Sequence, residues 1–575
     1  MEKKNIDLAF LGVLVAIATF SFSAGLHWGL PSAERNSLYF TRRDSLRKTL
    51  QEIEDYKLEE AWKGMGPYLV VHPEEEGRKL PRSLYNPIRS YHPDEYFVLK
   101  SLASMNPEEL DFNPHQYGVG GAYLYPVGIV IFLASRFQLI KIGRDISFAF
   151  SHPEELAKLY LCGRILTGLY GLAAIILFFF LSRRLLQSRI LSLLATWLLM
   201  WTPLVVLNTH YMYVDIPALF WAIATLYFTL NYLQTPQNRW LAFAGLSAGL
   251  AFGSKISLLV VIFIPVMGLL LERPNAFQGI RYLLLVLLAF SAGFIFTNPY
   301  FVLTFPEPLI DLGQHSGWSF QGKFYLKSLT AGLGWPLFIF AGIGHIFALL
   351  GLVKKNNHRS AVCLLFLWDI LFFLFISCFS KTFARYLLPL VPGFILTGIW
   401  GWTLVESLTN PFGKTFTRSL ALVVSSLSFC CGLYFLSFFL KENVRTRAGR
   451  WIKENLPAGS TLGTPEIPWQ FQMPDFDESR YLIVVTGYSL ASFQQSVPNY
   501  FVLSSFQAPI APYPLKLNRE KLDFWKEFHQ SGWYKPVKIF SPDKPFGANW
   551  CLPETLPEDL IYLFPTIAIF ERVKK

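Results

Sequence analysis

The chain has 575 residues, of which 52% are hydrophobic, 17% aromatic and 16% charged, with a positive mean hydropathy. A soluble domain carries about a quarter charged residues, so this composition excludes an ordinary soluble protein and indicates a multi-span membrane protein. The formal charge of +11 does not indicate nucleic acid, because Lys and Arg lie mainly in short segments between apolar runs, where membrane orientation accounts for them.

Lys3 and Lys4 precede an apolar run from Ile6 to about Leu30, long enough to cross a hydrocarbon core of roughly 30 Å. It reads as an uncleaved span with a cytoplasmic N-terminus rather than a signal peptide, since the apolar region is long and "SFSAG" is a poor cleavage site. Residues 31–155 then form a large first external loop with interfacial helices. Within it, "GAYLYPVGIVIFLASRFQLI" decides the topology. Counted as a span, it turns the basic loops "SRRLLQSR" (Ser182–Arg189), "LERPNAFQGIR" (Leu271–Arg281) and "VKKNNHR" (Val353–Arg359) outward, against the positive-inside rule. Read as a helix lying along the outer surface, broken at Pro126 and ending in Arg136, it returns all three to the cytoplasm.

The remaining apolar runs are about Leu156–Leu181, Ile190–Leu207, Pro217–Leu233, Trp240–Gly253, Ile256–Leu271, Tyr282–Thr297, Ser328–Leu352, Ala361–Phe379, Tyr386–Leu404 and Leu420–Leu440. With the first span they predict about eleven transmembrane helices. Gly253, Ser254 and Lys255 form the tip of a helical hairpin on the outer side. From Lys441 the apolar runs cease, and "AGRWIKENLPAGS", "YLIVVTGYSL" and "TIAIFERV" predict a small external α/β domain over 441–575. Five of the six Cys sit in apolar segments and Cys551 stands alone, which specifies neither a disulfide framework nor a zinc site.

Ionisable residues at membrane depth are costly and by default mark a functional site. Four stand at outer ends of spans: Arg164, Asp215, Lys255 and Arg385. Three are cations where the orientation rule favours none, so an anion at the outer face would account for them together. Each has a structural alternative. Asp215, ahead of Ile216 and Pro217, suits a helix N-cap, and the cations suit snorkelling to headgroups. In the first loop, "RSYHPDEYF" carries Asp94 and Glu95 after Pro93, which taken alone is a solvated helix start. His92, His115 and His210 match no metal motif and are read as structural or as lining a site, and the Gly-rich "DFNPHQYGVGGAYLYP" matches no phosphate loop.

The ordered series "HPDE", "FNPHQYGVGGAYLYPVG", "GRILTGLYG", "RRLL", "THYMYVDIPALF", "GLAFGSKIS" and "ARYLLPLVP" resembles the bacterial membrane glycosyltransferases of family 39 over roughly Met1 to Leu440. That group has the GT-C fold and is similar to protein O-mannosyltransferases and to aminoarabinose transferases acting on lipid A. The resemblance implies a GT-C-like domain over 1–440 in a bacterial inner membrane. Its activity would be transfer of a sugar from a polyprenyl-phosphate carrier to a glycan, lipid or protein acceptor outside the cytoplasm. It places the general base at Asp94, with Glu95 orienting it or the acceptor, and the second acid at Asp215. Its cationic positions near the lipid phosphate fall on Lys255 and Arg385, and the full substrate-binding set expected here is His92, Tyr117, Tyr123, Arg164, His210, Lys255, Arg385 and Tyr386. No motif calls for a cofactor, and a divalent metal stays open. The charged insertion over about 31–88 departs from the family pattern and leaves the acceptor undefined. The rival class is a transporter or lipid flippase; such proteins often carry paired repeats and broken midplane helices, whereas these charges gather toward one face. A non-catalytic membrane scaffold is the third class.

Overall fold

The computed structural model describes residues 2–41, 43–57, 85–143, 146–314, 317–352, 359–494, 497–511, 515–542 and 555–573. Most of the basic loop at 353–358, the charged tract at 58–84 and Cys551 lie outside the described residues.

Among the described residues, six helices are long and apolar enough to cross a membrane, or seven if one sharply bent pair counts as a single span. The six are Pro153–Leu186, Asp215–Gln234, Ala276–Thr297, Arg359–Ser377, Ala384–Leu408 and Pro411–Asn455. The expected eleven shrinks because several apolar runs form shorter helices: Arg189–Met200 and Ile256–Glu272 fall below spanning length, whereas the first helix runs over Glu2–Ser23, 22 residues. Two runs that hydropathy reads as continuous are interrupted. Ile190–Leu207 divides into Arg189–Met200 and Pro203–Asn208, with Thr202 extended ahead of a proline in the first turn. The run Ser328–Leu352 divides into Gly322–Leu333 and Trp335–Gly351, bent by 115°. The hinge is Gly334, whose φ of +79° is one that a side chain disfavours, followed by Pro336.

Small residues set how closely the helices approach. A Cβ at Gly249 would lie 2.1 Å from the Phe290 carbonyl oxygen, so the Asn238–Ser254 and Ala276–Thr297 helices pack backbone to backbone only because that position is bare. Gly121–Arg136 ends where expected but runs unbroken through Pro126. At 16 residues it extends about 24 Å, short of the hydrocarbon thickness. It buries Tyr123, Leu124 and Val127 while Ile129, Phe132 and Leu133 face outward.

The C-terminal region folds around a five-stranded mixed sheet. Its strands are β1 (Thr461–Thr464), β2 (Leu482–Val485), β3 (Tyr500–Ser504), β4 (Tyr534–Phe540) and β5 (Ile567–Arg572), in the order β2-β1-β3-β5-β4. β1 pairs in parallel with β2 and β3, while β5 is antiparallel to β3 and β4. Alternation along the central strands serves two cores. Val502, Ile567 and Ile569 pack with Ala448 and Ile452 of the Val444–Asn455 helix. Phe501, Leu503, Ala568 and Phe570 pack with Phe524 and Phe528 of the Arg519–Gln530 helix. Asn443 and Asn518 cap these helices by accepting from Arg445 and Lys521 backbone N–H groups.

Candidate active site

The predicted charges converge where the sheet region meets the helical bundle. His92, Pro93 and Asp94 lead into the Glu95–Ala103 helix. Asp94 occupies the N-cap position, yet its side chain caps nothing. It instead accepts a 2.6 Å hydrogen bond from Arg385 Nη2. Arg385 Nε stands 3.6 Å from Asp215 Oδ2, and Lys255 Nζ donates to Asp215 Oδ1 at 2.5 Å. Two carboxylates and two cations thus form one chain, Asp94–Arg385–Asp215–Lys255, drawn from the first loop, two helical segments and the junction between two others. Asp215 begins its helix behind Val214 as the N-cap, so a capping role does not account for its carboxylate.

The cations are built in rather than snorkelling. Arg385 is 3% exposed, and its guanidinium lies 4.0 Å from the Phe383 ring centroid. Its Nη1 is buried with no hydrogen-bond partner among the described residues. Lys255 sits in extended backbone between the Asn238–Ser254 helix and the following Ile256–Ile262 turn, with its ammonium 4.0 Å above the Tyr386 ring. Burial raises the Asp94 carboxyl above the ordinary carboxylate range, Arg385 opposes that shift and Asp215 adds to it. His92 is buried, and its Nδ1 accepts from the Asp94 backbone N–H at 3.3 Å. Burial and the nearby Arg385 and Arg164 hold it neutral by lowering its pKa.

Glu95 and Arg164 form a separate pair. Arg164 Nε and Nη2 donate to Glu95 Oε1 and Oε2, each at 2.7 Å, with both side chains fully buried. Arg164 Nη1 donates to the Leu26 and Trp28 carbonyls at 2.6 and 2.8 Å. Glu95 also accepts from Met212 N–H at 2.7 Å and the Ser90 hydroxyl at 2.5 Å. The adjacent carboxylates of Asp94 and Glu95 therefore have different neighbours, because successive positions at a helix start point about 100° apart.

Three other predicted contacts also lie outside the chain of four. Tyr123 hydroxyl bonds Thr167 and Gly163, joining its helix to Pro153–Leu186. His210 bonds the Val206 and Ala24 carbonyls and stacks on Phe439. Tyr117 hydroxyl meets Asn113, Thr304 and Glu307. Sequence reasoning passed over Tyr213, whose ring centroid is 5.7 Å from the Arg385 guanidinium, and Asp559. The latter accepts the backbone N–H groups of Ala384 and Arg385 at 3.0 and 2.9 Å. Its only signal is a helix start, Pro557 followed by two acids.

Residues 142–286 match the family described as dolichyl-phosphate-mannose-protein mannosyltransferase, PMT. This stretch is about a quarter of the chain and contains Arg164, Asp215 and Lys255. Over this quarter of the chain the protein is similar to a family of membrane glycosyltransferases that depend on a lipid-phosphate sugar. Among solved structures the chain is similar to ArnT from Cupriavidus metallidurans bound to undecaprenyl phosphate, at 12% identity and TM-score 0.41 over 98% of this chain and 97% of that one. It is similar to the same protein in the apo state, at 13% and 0.43 over 99% and 98%. It is also similar to the archaeal oligosaccharyltransferase AglB from Archaeoglobus fulgidus in complex with an inhibitory peptide and a dolichol-phosphate, at 12% and 0.44 over 98% and 77%. No curated protein matches the chain.

Proposed function

We propose that the protein moves a sugar from a polyprenyl-phosphate carrier to an acceptor hydroxyl on the extracytoplasmic face, with inversion at the anomeric carbon. In this reading Asp94 is the general base and Arg385 and Lys255 hold the donor phosphate. The carrying observation is the Asp94–Arg385–Asp215–Lys255 chain, in which the buried Arg385 keeps two guanidinium nitrogens, Nε and Nη1, without a hydrogen-bond acceptor among the described residues. A buried donor is costly to leave unpaired, and a phosphate oxygen is the acceptor that a guanidinium fork fits best.

The proposed step follows from these contacts. A phosphate taken up by Arg385 replaces Asp94 as its partner and leaves the carboxylate free to accept a proton. The acceptor hydroxyl then attacks the anomeric carbon, passing its proton to Asp94 as the new C–O bond forms. The bond from the anomeric carbon to the phosphate oxygen breaks, its electron pair stays with the phosphate, and Arg385 and Lys255 stabilise the growing charge. Asp215, touching both cations, orients them. Arg164, Glu95, His210 and Tyr123 support the scaffold rather than touch substrate, and Tyr386 shapes the site through Lys255.

The same reading treats 1–440 as a GT-C-like bundle in the inner membrane, with the N-terminus cytoplasmic and 441–575 extracytoplasmic. Its support is that Arg183 and Arg184 end the Pro153–Leu186 helix while Arg164 sits nearer its start, so the basic loop and the site lie toward opposite ends. The test uses purified full-length protein with a polyprenyl-phosphate sugar donor. Asp94→Asn should cut turnover about a hundredfold or more, the range for loss of a general base, while donor binding persists. Normal turnover in that variant would overturn the assignment.

A further inference from the structure

The segment 555–564 belongs by sequence to the sheet region but by packing to the membrane bundle. Leu556, Leu560, Ile561, Leu563 and Phe564 join the core cluster of the spans rather than either cluster of the sheet. Phe564 stacks on Phe438 of the Pro411–Phe439 helix at 4.7 Å between centroids. Arg445 Nη2 donates to the Tyr562 carbonyl at 2.9 Å, and the Tyr562 ring meets His92 edge-on at 5.6 Å.

From this segment Asp559, 1% exposed, reaches the start of the Ala384–Leu390 turn that carries Arg385. The first N–H groups of a helical segment lack partners within it, and a polar residue just ahead normally supplies one. Here that position is Phe383, which makes no side-chain cap. Asp559 takes its place with both oxygens, accepting from Ala384 N–H and Arg385 N–H. The backbone that aims the guanidinium is therefore fixed by a residue from the sheet region.

We propose that Asp559 is a positioning residue for the donor phosphate: by clamping the backbone at 384–385 it holds Arg385 in phosphate-binding geometry, so seating of 555–564 in the bundle and lipid-phosphate binding strengthen each other. This rests on the reading that Arg385 binds the donor phosphate. Two events coupled through one element are reciprocal, each raising the affinity of the other by the same factor.

The test uses full-length protein in lipid nanodiscs, with undecaprenyl phosphate as probe. Asp559→Asn keeps shape but offers one acceptor oxygen in place of two, so probe binding should weaken about tenfold, and the donor KM should rise more than kcat falls. Glu558→Gln, one residue earlier, should bind normally. In unaltered protein, undecaprenyl phosphate should slow amide exchange at 555–564 as well as at 383–390; this readout decides the matter if Asp559→Asn does not fold. Normal binding by Asp559→Asn beside weakened binding by Arg385→Gln would overturn the clamp alone. Equal losses in Asp559→Asn and Glu558→Gln, or unchanged exchange at 555–564, would also overturn it. Normal binding by Arg385→Gln would instead overturn the phosphate reading beneath it.

Discussion

Replacing Glu95 with glutamine separates scaffold from chemistry, because every atom around that carboxylate is a donor. Oε1 accepts from Arg164 Nε and Met212 N–H, and Oε2 accepts from Arg164 Nη2 and the Ser90 hydroxyl. Whichever way the new amide turns, its NH2 meets an N–H of Arg164, and the guanidinium is left buried without its counter-charge. Removing one partner of such a pair costs about 3–5 kcal/mol. Asp94→Asn should cost about 1 kcal/mol, because the carboxylate is 19% exposed and the amide oxygen can still accept from Arg385. Thermal unfolding in one detergent should therefore place Glu95→Gln far below the unaltered protein and Asp94→Asn close to it. Activity per folded molecule should rank them in reverse. Adding Arg164→Met to Glu95→Gln should recover part of the loss by removing the stranded charge. An unchanged unfolding temperature for Glu95→Gln, together with abolished transfer, would refute the scaffold role and move Glu95 into the reaction.

If Asp94 is the general base, the acid limb of kcat/KM should lie above the ordinary carboxylate range, since burial raises Asp94 and a base acts deprotonated, so the rate falls as pH drops through its pKa. Arg385→Gln should move that limb to higher pH by removing the charge that opposes the shift; a downward move in the pH–rate profile would contradict the pairing. Lys255→Gln and Arg385→Lys should each lose about 1.5–3 kcal/mol in transition-state stabilisation, and the double mutant should lose less than their sum. Full additivity in that cycle on transfer rate would argue against a shared phosphate. Reporter fusions after Arg184 and Lys575 should signal cytoplasm and exterior respectively, and a cytoplasmic signal from Lys575 would reverse the orientation.

Several individual spans were legible because hydropathy and length are properties of contiguous residues, although their total was overcounted. Asp215–Gln234 and Arg359–Ser377 lie within two residues of their expected ends. The breaks at Thr202 and Gly334 were less visible, since Trp201 and Trp335 keep the runs apolar while Pro203, Gly334 and Pro336 do the bending. The unusual cations were legible from their placement in apolar sequence. Their partners were not: Asp94 and Arg385 are 291 residues apart, and the choice between Asp94 and Glu95 for Arg164 depends on side-chain direction at one helix start. Asp559 escaped for the opposite reason, as an acid in a polar region, where charge is commonplace.

The clamp also sets a clock for biogenesis. Arg385 and Asp559 lie 174 residues apart, and at a synthesis rate of about 5–20 residues per second that distance occupies roughly 10–30 s. Throughout that interval the nascent chain already carries Asp94, Asp215, Lys255 and Arg385, yet the Ala384 and Arg385 amides await their acceptor. If Asp559 positions Arg385, an unfinished chain stalled in the translocon captures carrier lipid poorly, and activity switches on only after the segment 555–564 has folded back onto the bundle.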